Sequence, residues 1–411
     1  MLLSPSLLLA VLASLCAPQG DVVPPEIPVS EAAQAPDAPL DAFRVKLLEQ
    51  AWQAVSGMPD VPHLKNRSRS EEVIALTCLE LGQLERAEIL ARRIGNWRQG
   101  LVLAHLAECY QGKGQEQRAQ ALCTEAETIS AGTTEMPVEG WRRDRIRAKV
   151  AQVRMMIEPN QAVLADTSDL ELSEAGPVLA GAALTLKPEQ VRAFLADVRK
   201  LPATGSLESV QNGLFAALEL YREHYADAEL RAEVEAAMRS CWLHVPGLVR
   251  MQLVRELTRC AVAHNDQKGA ERLLGDAYAM MDGMSWQPRY HVPAMAETAR
   301  LAFEVGKSEQ ASTELKAALE MFQKGREGIV NIYRTESLLP VAEAQVAVGD
   351  RSGALATYRL AVEESQVNPN SRPRSMDLAA ILCSMARTAT EPDEALAERI
   401  DKIIGALGDP W

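Results

Sequence analysis

Few side chains in this chain of 411 residues stand at a spacing that could do chemistry. No GxGxxG, HExxH or GxSxG occurs, and no GxxxxGK followed by Ser or Thr. Phosphate cradles, zinc-protease sites and nucleophile elbows therefore have no motif to stand on, and no catalytic residue, cofactor or metal site is implied. His224 and Asp227 share a helix face, but two ligands do not complete a metal site, and a solvated helix surface accounts for them. His264, Asn265 and Asp266 fall between helices, where such residues cap and turn. Cys78, Cys109, Cys123, Cys241, Cys260 and Cys383 form no CxxC and no His pairing. They read as small buried hydrophobes, with Cys109 and Cys123 as the pair an oxidising compartment could bridge. Asn66-Arg-Ser68 fits a glycosylation sequon, which has meaning only in a eukaryotic secretory route. Two groups stand out more. Arg142, Arg143, Arg145, Arg147 and Lys149 follow Trp141, a cationic cluster in an acidic chain, set against the plainer reading of a solvated face that includes Asp144. Trp286-Gln-Pro-Arg-Tyr-His291 crowds aromatics, making Trp286 and Tyr290 contact candidates unless they only pack.

The elements that must hold any such site are helices. Between Ala342 and Val362, small residues stand at Ala342, Gly349, Ala354 and Ala361, at spacings of seven, five and seven. Gly349 suits the left-handed turn that ends one helix, and Asp350 suits the N-cap of the next. The alanines let the two helices approach closely. The same frame recurs at Ala299, Gly306, Ala311 and Ala318, and again at Ala107, Gly114, Ala119 and Ala126. Around Gly82 it keeps Ala75 and Ala87 but ends on Ile94, and around Asn265 it keeps Ala270 and Ala277 with Thr258 in first place.

This frame resembles the tetratricopeptide repeat (TPR), whose paired helices nest through small residues at a period of about 34 residues. Ala87 to Ala119 is 32 residues here, whereas Ala270 to Ala311 is 41 and Ala311 to Ala354 is 43, so the C-terminal units are longer. Tyr110 and Tyr358 fall at the family's aromatic positions. The resemblance covers residues 65 to 130 and 248 to 407. It implies an all-α fold, an α-solenoid of antiparallel hairpins coiled into a right-handed superhelix, with a concave groove for a protein or peptide. Carried over by the frame, the groove positions are Glu108, Arg255, Arg259, Arg300 and Glu343. Arginine suits such a role because its planar fork grips a carboxylate in two contacts. The family's Asn and Lys carboxylate clamp is not matched, so that ligand is not implied.

Residues 1–17 hold an apolar run, Leu7 to Leu15, that suits a secretory signal and is too short to span a bilayer. A cleaved signal fits better than lipid attachment at Cys16, which Leu15 precedes where a small residue is wanted. An exported protein, periplasmic or extracellular, is expected, anchored to a membrane only if Cys16 is lipidated. Residues 18–40 are rich in proline with acids and no base, which reads as an extended linker. Helical repeats follow over 41–130, where Ser68 and Glu71 form a capping-box spacing expected to open a helix from Glu71 to Leu81. Residues 131–246 are helical but off the frame. There Ser168 to Glu171 is a second capping box, Pro188 opens a helix running to Lys200, and Pro202 to Ser206 breaks it. Val178 to Leu186 reads as a buried helix, too short for a membrane span. TPR-like repeats resume over 247–411, the last a loose echo from Arg374 to Leu407.

A net charge of −13 argues against a nucleic-acid partner. An exported scaffold or adaptor that binds other proteins along its groove, with no reaction of its own, is the leading expectation. The alternative is a helical toroid acting on a cell-envelope polysaccharide, against which an aromatic fraction of 4% speaks.

Overall fold

The computed structural model describes residues 39–132, 140–158 and 169–411. The expected signal segment with Cys16, the linker up to residue 38, residues 133–139 and Ser168 of the second capping box lie outside the described residues. In chain order the helices are α1 (Ala42–Ser56), α2 (Asp60–Glu80), α3 (Leu84–Ala91), α4 (Arg98–Gly112), α5 (Glu116–Gly132) and α6 (Gly140–Ile157). Then come α7 (Gly176–Ala183), α8 (Pro188–Val198), α9 (Leu201–Thr204), α10 (Leu207–Glu223), α11 (Ala228–Cys241), α12 (Gly247–Ala263) and α13 (Gln267–Asp282). The last six are α14 (Pro288–Glu304), α15 (Ser308–Gly325), α16 (Arg334–Ala347), α17 (Arg351–Ser365), α18 (Ser371–Arg387) and α19 (Glu394–Gly405). Among the described residues there is no strand, and the helices pack in neighbouring pairs.

The frame read from the sequence sets the hairpins. Gly82, Gly114, Gly306 and Gly349 have φ of 71°, 72°, 90° and 87°, and Asn265 takes the same left-handed region at 57°. Only residues without a Cβ, or with a short polar side chain, adopt this backbone cheaply. The alanines at the flanking positions, Ala107, Ala119, Ala126, Ala299, Ala311, Ala318, Ala342, Ala354 and Ala361, are fully buried. Asp266 and Asp350 then cap the returning helices, each accepting from a glycine amide three residues on at 2.9 Å. Those amides belong to Gly269 and Gly353, where a Cβ would strike the capping carboxylate.

Two compact units are present, and they do not follow chain order. The first contains Gly82–Glu85 and Leu103–His244, and its core gathers α6, α7 and α10 around Ile146, Val150, Leu179, Leu214 and Tyr221. Asp227, one of the two residues weighed as a metal ligand, instead caps α11 by accepting from the amides of Glu229 and Leu230 at 3.1 and 3.0 Å. The second unit contains Leu40–Leu81, Arg86–Val102 and Val245–Trp411. Within it α14 pairs with α15 and α16 with α17, while α1 and α2 pack against α18. Arg44 Nε donates to the carbonyl of Ala386 at 2.7 Å, and Gln50 donates to Asp401 at 2.6 Å. Stacking in strict chain order does not supply that contact between the first described helices and the last.

Three local expectations are corrected. Ser68 does not cap a helix, because α2 already runs from Asp60 and holds Ser68 buried inside it. Glu71, the other half of the proposed box, is instead paired with Arg67 at 2.8 Å, and nothing between residues 63 and 80 breaks the helix. The helix opened by Pro188 ends at Val198, and Pro202 stands near the start of the one-turn helix α9, where its missing amide costs nothing. Cys109 and Cys123 are free thiols, as are the other four described cysteines. No helix among the described residues is long and apolar enough to cross a membrane.

Candidate functional site

Three helices of the second unit, α12, α14 and α16, enclose a cavity of about 370 Å³. Its walls are largely apolar, with Met251, Ala294 and Leu301 among them, and a few polar groups converge on it, the usual make-up of a binding pocket. Two helix-interior prolines, Pro293 of α14 and Pro340 of α16, also line it. Proline has no amide hydrogen, so the carbonyls four residues earlier, on Arg289 and Glu336, lose their helical partners. Ser337 Oγ stands 3.3 Å from the Arg289 carbonyl but 2.8 Å from that of Tyr333, and its single proton favours the nearer. Both prolines thus leave acceptors beside the cavity. Arg289 itself is held between two rings, 4.2 Å from the centre of Tyr290 and 4.0 Å from that of Tyr333.

Arg255 and Tyr290, both singled out from the sequence, line this cavity. Arg255 Nη1 lies 3.3 Å from Glu297 Oε2, and Arg255 Nε lies 3.4 Å from Glu256. Neither approach has hydrogen-bond alignment, so Arg255 Nε and Glu297 Oε2 are enclosed without a hydrogen-bond partner. Arg259 continues the ladder to Glu256 at 3.4 Å, Glu297 at 3.6 Å and Glu304 at 3.4 Å, and Arg300 reaches Glu304 at 3.0 Å. Three of the five groove positions therefore meet in one ion-pair ladder along α12 and α14.

The other two sit elsewhere. Glu108, in the first unit, pairs with Lys149 at 2.7 Å and lies 3.9 Å from His105. Burial pushes its carboxyl up, but hydrogen bonds from His105 and Lys149 and the charge of Lys149 outweigh burial and hold it at about 2. Glu343 accepts from Ser384 at 2.6 Å and Arg387 at 2.9 Å, and Arg387 also reaches Thr77 at 3.2 Å, which ties α16, α18 and α2 together. Trp286 donates to the carbonyl of Met281 at 2.9 Å and stacks on His291, whose imidazole burial holds below its ordinary value.

The cationic cluster lies along α6, and acids answer it. Arg143 meets Asp144 at 3.0 Å, Arg145 grips Glu174 in two bonds of 2.7 and 2.9 Å, and Arg147 reaches Asp169 at 2.8 Å. Arg142 and Arg145 both lie over the Trp141 ring, 5.5 and 4.9 Å from its centre.

A second cavity of about 440 Å³ lies between α2, α16 and α18, and Tyr333 and Glu336 line both cavities. Sequence reading missed it. Its Asp377 is pushed up to about 8 by burial and, less strongly, by Glu336, while a hydrogen bond from Thr335 works the other way. The signal was faint, because Arg69, Tyr333 and the Arg372–Asp377 stretch of α18 are far apart in the chain and no spacing links them. Among the described residues no group of three or more His, Cys, Asp and Glu is placed to hold a metal ion. No known protein family has a model that matches the chain, and no curated protein matches it either.

Proposed function

We propose that the chain is a TPR-like helical-repeat adaptor that docks an extended segment of a partner protein in the cavity between α12, α14 and α16, with no reaction of its own. One observation carries this reading: Arg255 Nε and Glu297 Oε2 are enclosed at the cavity wall with no hydrogen-bond partner. Ion-pair contacts at 3.3 to 3.6 Å balance their charge but leave both atoms without an aligned hydrogen bond, and a peptide backbone supplies the matching carbonyl and amide. Leu248 at the same cavity is 48% exposed, an apolar contact ready for a side chain of the partner. Export belongs to the same reading and rests on the apolar run within residues 1–17. N-terminal sequencing of the secreted protein tests it, with a start beyond residue 17 expected.

Selection of random peptides displayed on phage against the immobilised full chain tests docking directly. Enriched peptides should lose about tenfold or more in affinity to Arg255→Ala and to Tyr290→Ala, and none to Lys324→Ala at an exposed position of α15. No enrichment, or equal loss in all three variants, removes the reading. An enzyme acting on polysaccharide has one observation in its favour, that Asp377 and Glu336 line a common cavity with Asp377 held protonated at neutral pH. Among the described residues Tyr333 is the only aromatic side chain lining that cavity, a poor platform for sugar stacking. Release of reducing ends from cell-wall glycan, abolished by Asp377→Asn, is the result that favours the enzyme.

A further inference from the structure

We propose that the cavity between α2, α16 and α18 binds a compact organic anion with an apolar body, its acidic group gripped by Arg69 and Arg372. The cavity measures about 440 Å³, inside the range of small-molecule sites. Its apolar lining includes Val73, Ile332 and Met376, and Val73 and Ile332 are 39% and 42% exposed, apolar surface that a ligand would cover. The polar lining is what gives the sign of the ligand. Most arginines in the second unit already have a carboxylate, a carbonyl or a ring to hold. The guanidinium groups of Arg69 and Arg372 have no hydrogen-bond, ion-pair or ring partner among the described residues, and both residues line this one cavity.

The acids beside them do not cancel this. Asp377 is held largely protonated at neutral pH, chiefly by burial, so it neither repels an anion nor engages an arginine as a carboxylate. Glu336 is then the single negative charge lining the cavity against two guanidinium groups, a local positive excess in a chain of net charge −13. Planar guanidinium forks bind carboxylates and phosphates in paired contacts. Asn66 and Ser70 add neutral hydrogen-bonding groups to the wall from the same helix as Arg69. The head group is therefore a carboxylate or a phosphate monoester, and the body is an alkyl or aryl group that fits between Val73, Ile332 and Met376. This site shares Tyr333 and Glu336 with the partner-docking cavity, but its two arginines stand on α2 and α18, which that cavity does not use.

Isothermal titration calorimetry of the full chain with octanoate, octyl phosphate and uncharged octanamide, each below its micellar range, tests the proposal. Saturable binding of one or both anions is expected, with octanamide about tenfold weaker or more, and the tighter anion identifies the head group. Arg69→Gln, at an exposed position that cannot threaten the fold, should weaken the tighter anion at least about threefold, and Arg69→Gln with Arg372→Gln about tenfold or more. The proposal is overturned if neither anion binds, if octanamide binds as tightly, or if the double variant, shown folded by circular dichroism, keeps its affinity within about twofold.

Discussion

Helix α6 in the first unit and the cavity beside α18 in the second carry the same side chains in opposite circumstances. On α6, Arg143, Arg145, Arg147 and Lys149 each meet an acid at 3.0 Å or closer, counting Asp144, Glu174, Asp169 and Glu108. At the cavity, Arg69 and Arg372 meet none among the described residues. The sequence drew attention to α6 because its cations cluster within eight residues, from Arg142 to Lys149. A run of cations, though, invites its own compensation within the fold, while two cations brought together from distant helices can be left for a ligand. The unanswered charge, not the dense one, marks a site.

The sharpest way to break this contrast is to remove the acid on which α6 depends. The Asp144 side chain is 2% exposed and binds Arg143, Arg147 and the amide of Glu171. Asp144→Ala should destabilise the first unit by about 3 kcal/mol in denaturant unfolding, since it strips a buried acceptor from several donors at once. A loss under about 0.5 kcal/mol would mean the pairs are no more than surface decoration. The opposite sign is expected at the cavity. Asp377 has a folded pKa raised to about 8 from an ordinary 3.8, so folding is penalised as pH rises from about 4 through about 8 and unpenalised below. Asp377→Asn should therefore stabilise the protein increasingly as pH rises from about 4 to about 8, and by nearly nothing at pH 4, measured by thermal unfolding across pH. A gain that does not change with pH removes the protonation argument.

Glu108 gives the smaller and reversed case. Its folded pKa is held at about 2 against an ordinary 4.5, so its contribution is complete above about pH 4.5 and is lost as pH falls toward 2. The side chain is 34% exposed, which screens the pair with Lys149 and limits the effect to about 1 kcal/mol. Glu108→Gln should lose that amount at pH 7 and show a flatter acid-unfolding curve between pH 4.5 and 2. An unchanged acid limb would show that Lys149 gains nothing from the pairing.

Backbone geometry was legible where steric rules decide it. A left-handed turn needs Gly or Asn, and the frame found all five such positions, from Gly82 to Gly349 with Asn265 between. The turn before α19 escaped notice because Ala389 takes φ of 51° with a Cβ present, against the usual preference. The packing of α1 against α18 was not legible either. Leu47, Leu48, Ala51 and Val55 form an apolar stripe that specifies burial without naming the surface that buries it. The candidate sites fared similarly. Arg255 and Tyr290 followed from frame and composition, whereas Arg69 on α2 meets Arg372 and Asp377 on α18 only through the fold.

The smallest predicted effect is also the most discriminating. If Arg69 and Arg372 serve no intramolecular purpose, replacing both with Gln should change unfolding stability at pH 7 by less than about 0.5 kcal/mol. The same substitution at Arg145 on α6 removes two bonds to Glu174, whose side chain is 9% exposed, and should cost about 1–2 kcal/mol. The difference between these values decides, because two guanidinium groups are deleted at the cavity and one on α6, and the single deletion should cost more. Comparable losses would mean that the fold has already answered the cavity arginines, and the contrast between the two regions would vanish. A negligible loss at the cavity beside a measurable one on α6 would assign the first pair to a ligand and the second to the fold.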